Sequence, residues 1–383
     1  MDRNHFCQIA ARLMRCPAAP RHEAMVRTAA EQICAEHDLP HHRDKYGNLL
    51  VRLQTDRARR PLALAAHMDH PGFEILRALT PSCWLARFLG GVPDSYFRPG
   101  IPVRLMTNGD AAVLGPRAGK DKEFEIHLNS GRSSSRRAAR SCRTSEVHSV
   151  TRSAKTRPAF AVWDLVDFAL RTDQIHGRSC DDLIGVAAVL ATLIELRKTK
   201  ARVNVIGVIS RAEEIGFHGA LTVAASSQLP GNSLVISLET SRELPPVKMG
   251  RGVIIRVGDR TSTFDPAGTR FLGEVAGALA AKNRRFQFQR ALMSGGTCEA
   301  TAYQEFGYQV AAVCIALGNY HNCGERGQIA PEFVSISDAC DMVDLLVEAA
   351  RQMRSYPRLV RRLTARMAAL SKKAHQGLSM DTR

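Results

Sequence analysis

The sequence predicts an α/β protein: a mixed sheet flanked by helices, carrying a small inserted β-barrel-like domain. Three observations lead there. From residue 160 onward, short apolar runs alternate with helical patterns, as in a layered α/β core. Four apolar runs along the chain end on or just before histidines or carboxylates, where open α/β sheets collect their functional groups. Between residues 76 and 128 the helical period disappears and short β-type segments follow one another.

Residues 3–36 repeat apolar side chains at helical spacing (Phe6, Ile9, Ala10, Leu13, then Met25, Val26, Ala29, Ile33), broken by Pro17 and Pro20, so two surface helices are expected. Asp44-Lys45-Tyr46-Gly47-Asn48 is a turn signal, after which 49–53 and 62–66 read as strands that deliver the chain to His67. In the insertion, strands are expected at 73–79, 83–89, 102–106, 111–114 and 124–128, with a hairpin-type Asn108-Gly109-Asp110. Ser and Arg dominate 129–159 and no period survives, which reads as disorder, a long loop or a local shift of reading frame. Beyond it, helices are expected at 183–196, 271–282 and 337–353, and buried strands at 203–210, 234–238 and 310–317. The resulting division is a catalytic core of 1–75 and 160–350, an inserted β domain at 76–128, a basic segment at 129–159 and a basic tail at 351–383. In that tail Leu359, Leu363, Met367 and Leu370 mark one stripe of a solvated amphipathic helix.

The net charge of +16 is concentrated: residues 131–157 hold +7 and 350–383 hold +8, leaving the rest close to neutral. Neither segment interleaves aromatics with its basic residues, so no nucleic-acid groove is expected. No apolar run approaches the ~20 residues that cross a bilayer, and the N-terminus lacks a secretory pattern. A cytoplasmic location without a membrane partner is therefore the expectation. The ten cysteines include no Cys-x-x-Cys, so neither a disulfide framework nor a zinc ribbon is indicated.

The residues with chemical potential stand at the strand ends. His67 and Asp69 are two apart, a spacing that lets the carboxylate hold the ring nitrogen that faces away from a metal. Glu213 and Glu214 are adjacent carboxylates that repel unless a cation lies beside them; one can bind it while the other handles a proton. Asp181 opens a helix, where it serves either as a cap or as a bridge between two cations. Glu239 and His321 follow the apolar runs at 234–238 and 310–317. One bridging Asp, two Glu and two His give mixed oxygen and nitrogen donors that suit two Zn²⁺ ions, with Co²⁺ or Mn²⁺ as alternatives.

In order along the chain, His67-Met-Asp69-His-Pro-Gly72-Phe73, Cys180-Asp181-Asp182-Leu-Ile-Gly185, Ala212-Glu213-Glu214-Ile-Gly216-Phe-His-Gly219-Ala220, Gly295-Gly296-Thr297 and the His321 loop resemble the glutamyl and deblocking aminopeptidases, relatives of the tetrahedral aminopeptidases. The resemblance spans residues 17 to about 350, excluding 129–157. Spacing separates this group from others with the same ligands. Here 114 residues divide His67 from Asp181 and 82 divide Glu239 from His321, and a long first interval is where the aminopeptidases insert their β domain.

The resemblance implies a phosphorylase/hydrolase-like core and peptide substrates cleaved at the N-terminus by a metal-bridging water, with Glu213 as general base. One metal would take His67, Asp181 and Glu239, the other Asp181, Glu214 and His321, beside an Asp181–Asp182 peptide that is cis. It also implies assembly into homo-oligomers, from dimers to dodecamers. The chain departs from the usual pattern at Glu239, where Asp is common, at Cys298-Glu299, where Asp-Ala is usual, and at His70-Pro71 in place of Glu-Ile. A metal-dependent amidohydrolase or carboxypeptidase acting on N-acyl substrates, or a silent binding protein on the same fold, stays open at this point.

Overall fold

The computed structural model describes residues 1–106, 109–129 and 158–378, so nearly all of the Ser/Arg-rich segment expected at 129–159 lies outside the described residues. The first leg of the chain forms α1 (Arg3–Met14), α2 (Ala24–Glu36), β1 (His41–Arg43), β2 (Leu49–Gln54) and β3 (Leu62–His67). The insertion supplies β4 (Gly72–Thr80), β5 (Cys83–Leu89), β6 (Pro102–Leu105), β7 (Asp110–Arg117), β8 (Glu123–Leu128) and β9 (Phe160–Trp163). The second leg begins with β10 (Ala169–Arg171), β11 (Gln174–Gly177), α3 (Cys180–Lys198), β12 (Asn204–Ser210), α4 (His218–Ala225) and β13 (Leu234–Arg242). It continues through β14 (Val253–Gly258), α5 (Pro266–Lys282), β15 (Phe288–Leu292), α6 (Glu299–Glu305), β16 (Gln309–Gly318), β17 (Glu332–Ser335), α7 (Ile336–Gln352) and α8 (Tyr356–Leu378).

Strands β12, β3, β13 and β16 run parallel at the centre of a mixed sheet ordered β1-β2-β12-β3-β13-β16-β17-β11-β10, with β14 and β15 paired off β16. Alternation along these strands sends Leu62, Leu64, Leu234, Ile236 and Val313 into the core shared with α1, α3, α5 and α7. Their neighbours Ala63, Ala65, Val235 and Ala312 face the core shared with α4 and α6. Both faces are covered, which is why these strands read as unbroken apolar runs. Helix α3 is buried along nearly its whole length, packed on the sheet and on α1 and α7. Each of its fully buried Leu or Ile side chains contributes ~1.5–3 kcal/mol.

The insertion closes on itself in the order β4-β5-β8-β7-β6-β9. Phe73, Phe88, Phe124, Ile126 and Trp163 fill it, with Phe73 edge-on to Trp163 at 4.9 Å. This corrects the boundary at residue 160. Phe160–Trp163 does not resume the core but pairs with both β4 and β6, satisfying the two edges that five strands would leave open. The insertion likewise starts at Gly72 rather than 76.

Elsewhere the sequence reading fell short where elements are brief: α4 and α6 have 8 and 7 residues, too few for a period to show. Helix α5 starts at Pro266, five residues before the apolar repeat, because the Asp265 carboxylate caps it by accepting from Gly268 N at 2.7 Å. The basic tail forms α8, which exposes Leu363, Met367 and Leu370. Among the described residues no helix is long and apolar enough to cross a membrane, and no disulfide joins two described cysteines.

Candidate metal centre

Register brings the first donors together. Parallel pairing of Leu234 with Leu62, followed along both strands, sets Glu239 level with His67 at the carboxyl ends of β13 and β3. Ser210, the last residue of β12, pairs with His67, and the chain then turns so that Glu213 and Glu214 enter the same space. Gly216, at φ +113°, ends that turn in a conformation few other residues adopt.

Asp181 and Asp182 are non-helical residues at the mouth of α3, joined by a cis peptide. The capping role belongs to Asp182, whose Oδ1 accepts from Gly185 N at 3.2 Å; a Cβ on Gly185 would sit 2.1 Å from that carboxylate. Asp181 is thereby released from the helix and faces the donors. His321 arrives from the loop after β16, in which Asn319, His321 and Asn322 all take left-handed backbone angles.

The five residues expected to be ligands form two overlapping groups, His67–Asp181–Glu239 and Asp181–Glu214–His321, with the donor atoms of each group within 4.8 Å of one another. Asp181 Oδ1 lies 3.5 Å from His67 Nε2, and its Oδ2 lies 3.5 Å from His321 Nε2. Glu239 Oε2 is 4.0 Å from His67 Nε2, and Glu214 Oε1 is 3.2 Å from His321 Nε2. Asp181 Oδ1, Glu214 Oε1 and Glu239 Oε1 are buried and accept no hydrogen bond of ordinary geometry among the described residues. Buried carboxylate oxygens without donors are costly unless a cation meets them, so this donor set fits divalent metal. Glu213 belongs to neither of these two but forms a third such group with His67 and Glu214; its Oε2 lies 3.8 Å from His67 Nε2, on the wall of the cavity.

Three buried carboxylates outside both groups hold the backbone of this arrangement. Glu23 accepts from Ala212 N at 3.1 Å, and Asp69 accepts from Glu213 N and Glu214 N at 2.9 and 3.1 Å. Glu332 accepts from Asp181 N at 3.0 Å and from His321 N at 2.8 Å, tying two ligands that are far apart in sequence. The role expected for Asp69 changes accordingly. Its backbone carbonyl, not its carboxylate, is the near partner of His67 Nδ1, at 3.1 Å against 3.6 Å, because the carboxylate is engaged by the 213–214 turn. The corresponding nitrogen of His321, Nδ1, faces the carbonyl of Gly91 at 3.2 Å, a residue of the insertion. His70 sits beneath the centre, its Nδ1 2.7 Å from the Asp181 carbonyl and its Nε2 2.9 Å from Asn322 Oδ1.

Crowding of carboxylates sets the electrostatics. Burial pushes Glu213 and Glu332 well above the usual carboxyl range and Glu239 up to about 8, and neighbouring carboxylates add to each. Burial also works against the Asp181 anion, but His321 and His67 outweigh it and hold this carboxyl below its ordinary value. Both histidines are raised well above theirs: burial opposes their charge, and Glu213 and Glu214 with Asp181 overcome it. Cations at the centre would take over the neutralisation that the imidazoles perform.

A cavity of about 480 Å³ opens onto the donors, and its walls include Arg242, Arg256, Arg260, Met293 and Tyr320. The departures at 298–299 fall in different places: Cys298 lines the cavity, whereas Glu299 is wholly buried and accepts a hydrogen bond from Ser210 Oγ. Burial lifts the Glu299 carboxyl to about 7.

Against known proteins, the family model of the M42 glutamyl aminopeptidases matches residues 47–328. The search of curated proteins finds no match. Among solved structures, the TET1 peptidase of Pyrococcus horikoshii superposes with a TM-score of 0.68 at 21% identity, covering 90% of this chain and 99% of its own. An aminopeptidase from the archaeon Desulfurococcus kamchatkensis gives 0.69 at 20% identity, over 94% of this chain and 97% of its own. A TET aminopeptidase from the marine sediment archaeon Thaumarchaeota archaeon SCGC AB-539-E09 gives 0.71 at 17% identity, over 92% and 99%. At such identities the superpositions speak for the fold, while the family match covers most of the sequence and takes in all the donors. The chain belongs to the M42 glutamyl aminopeptidase family and is a metallo-aminopeptidase.

Proposed function

We propose that the chain removes N-terminal residues from peptides with two divalent cations, one held by His67, Asp181 and Glu239, the other by Asp181, Glu214 and His321, and with Glu213 as general base. The observation that carries this reading is Asp181, whose two oxygens face two different histidines while each histidine has a further carboxylate of its own. Mixed imidazole and carboxylate donors suit Zn²⁺, and also Co²⁺ or Mn²⁺. When bound, such cations supply Lewis acidity toward a carbonyl and lower the pKa of water.

The protein's own groups do the remainder. Glu213, outside both donor sets and on the cavity wall, takes a proton from the attacking water and returns it to the leaving amine. The Asp69 and Gly91 carbonyls accept from the Nδ1 atoms of His67 and His321, leaving each Nε2 lone pair toward the centre. The three arginines on the cavity wall favour a substrate with an acidic side chain. Similarity to a TET1 peptidase described as assembling into a tetrahedron or an octahedral shell supports a homo-oligomer.

The test is metal content together with a panel of free and N-acetylated aminoacyl anilides, with and without chelator. Two metals per chain and chelator-sensitive cleavage of free-amine substrates, glutamyl faster than leucyl or lysyl, are expected. Cleavage of acylated substrates alone would replace this reading with a deacylase, and failure to take up metal would remove the mechanism.

A further inference from the structure

The outer wall of the barrel carries a second set of metal-type donors: Cys83 on β5 with Glu125 and His127 on β8. Antiparallel register places Cys83 directly opposite His127, with Glu125 two residues away on the same face. Phe124 and Ile126 point into the barrel, so Glu125 and His127 point outward. His127 Nε2 lies 2.9 Å from Glu125 Oε2 and 4.0 Å from Cys83 Sγ, and that sulfur lies 4.0 Å from Glu125 Oε2. On β7, Gly115 leaves space for the ring; a Cβ there would meet His127 Nε2 at 2.7 Å.

Cysteine, histidine and carboxylate together raise the question of a nucleophilic triad, and the geometry answers against it. In a triad the carboxylate orients the ring from the nitrogen that faces away from the nucleophile. Here sulfur and carboxylate converge on the same Nε2. Burial and the neighbouring Glu125 also keep the Cys83 thiol above its usual range, the reverse of an activated nucleophile.

Sulfur, nitrogen and oxygen converging on one point is the arrangement of a tetrahedral cation. With metal–sulfur bonds of about 2.3 Å and metal–nitrogen or –oxygen bonds of about 2.0 Å, the edges of such a site are roughly 3.3–3.6 Å. The edges found, 2.9 to 4.0 Å, bracket that range. Those two side chains are 32% and 42% exposed, so solvent can fill the fourth position, whereas Cys83 is buried.

We propose that Cys83, Glu125 and His127 bind one divalent transition-metal ion of the Zn²⁺ type on the barrel wall, independent of the catalytic centre. Binding converts the Cys83 thiol to a thiolate, the proton passing to solvent, and joins β5 to β8.

Full-length protein stripped with chelator and titrated with Co²⁺ tests this, because thiolate ligation gives a near-ultraviolet charge-transfer band and the five donors of the catalytic centre include no sulfur. The expected result is three Co²⁺ per chain, with the band saturating at one equivalent. Cys83→Ser and His127→Gln should each lose the band and one Co²⁺ while keeping the other two and full aminopeptidase turnover; His127 is partly exposed, so its replacement leaves the fold intact. In His321→Ala the band should survive although the catalytic centre loses metal, which separates this site from the function proposed above. Absence of the band in the unaltered protein, or its persistence in both barrel variants, would overturn the proposal.

Discussion

The loop-borne groups at the sheet edge and the donors on the barrel wall are positioned by different means. Glu213, Glu214 and His321 stand on loops whose backbone passes through left-handed residues, Ala212 at φ 52°, Asn319 at 54° and Asn322 at 61°, with His321 itself at 55°. Such conformations cost about 1–3 kcal/mol each and persist only where the surroundings enforce them. Enforcement comes from Glu23, Asp69 and Glu332, whose carboxylates accept backbone N–H groups of the ligand-bearing segments. Cys83, Glu125 and His127, by contrast, stand on regular strands, and cross-strand register alone supplies their spacing. A site held by a network gains a fixed geometry but depends on every member; a site held by register needs no supporting acids and stays open to solvent.

The sharpest test of this contrast removes the acid proposed as general base. Glu213→Gln should lower kcat by ~10²–10⁴-fold with metal content unchanged, read by steady-state kinetics beside elemental analysis. Equal turnover would remove Glu213 from the mechanism. His321→Ala should next cost about one bound metal per chain, measured by the same analysis. If the supporting carboxylates matter as described, Asp69→Asn and Glu332→Gln should each weaken metal binding ~10–100-fold in competition with a chelator, since an amide turns a donor toward a backbone N–H. Unaltered affinity in both would mean that the loops hold their shape without them. The smallest effect belongs to the barrel: Cys83→Ser should leave aminopeptidase turnover within experimental error of the parent.

The convergence of His67, Glu214, Glu239 and His321 was legible in the sequence because these residues follow apolar runs, and such runs mark buried strands whatever else surrounds them. Asp181 showed an ambiguity that only the fold resolves, since two adjacent aspartates at a helix start compete for one cap and Asp182 takes it. Glu23 and Glu332 were missed for a physical reason. Their partners lie far off in sequence, Glu23 reaching Arg211 and Ala212 and Glu332 reaching Asp181, so no local pattern announces them. Glu332, at the head of β17 with no basic residue beside it in sequence, offered the available signal, whereas Glu23 follows Arg21-His22 and offered none. The barrel strands were readable one by one, but its closure was not, because β9 returns from beyond residue 157 to pair with β4 and β6. The Cys83 cluster was invisible for the same reason: Cys83 stands 42 and 44 positions from Glu125 and His127 and meets them only through pairing.

The carbonyl of Gly91 reaches from the insertion to Nδ1 of His321. On the metal set proposed above, the barrel would therefore belong to the centre, and a peptidase cut down to its sheet and helices would keep all five donors yet lose the carbonyl that faces the Nδ1 of one imidazole. Exchange of barrels between relatives, whether by recombination or by design, has to preserve an acceptor at this one point of contact, however freely the rest of the insertion changes.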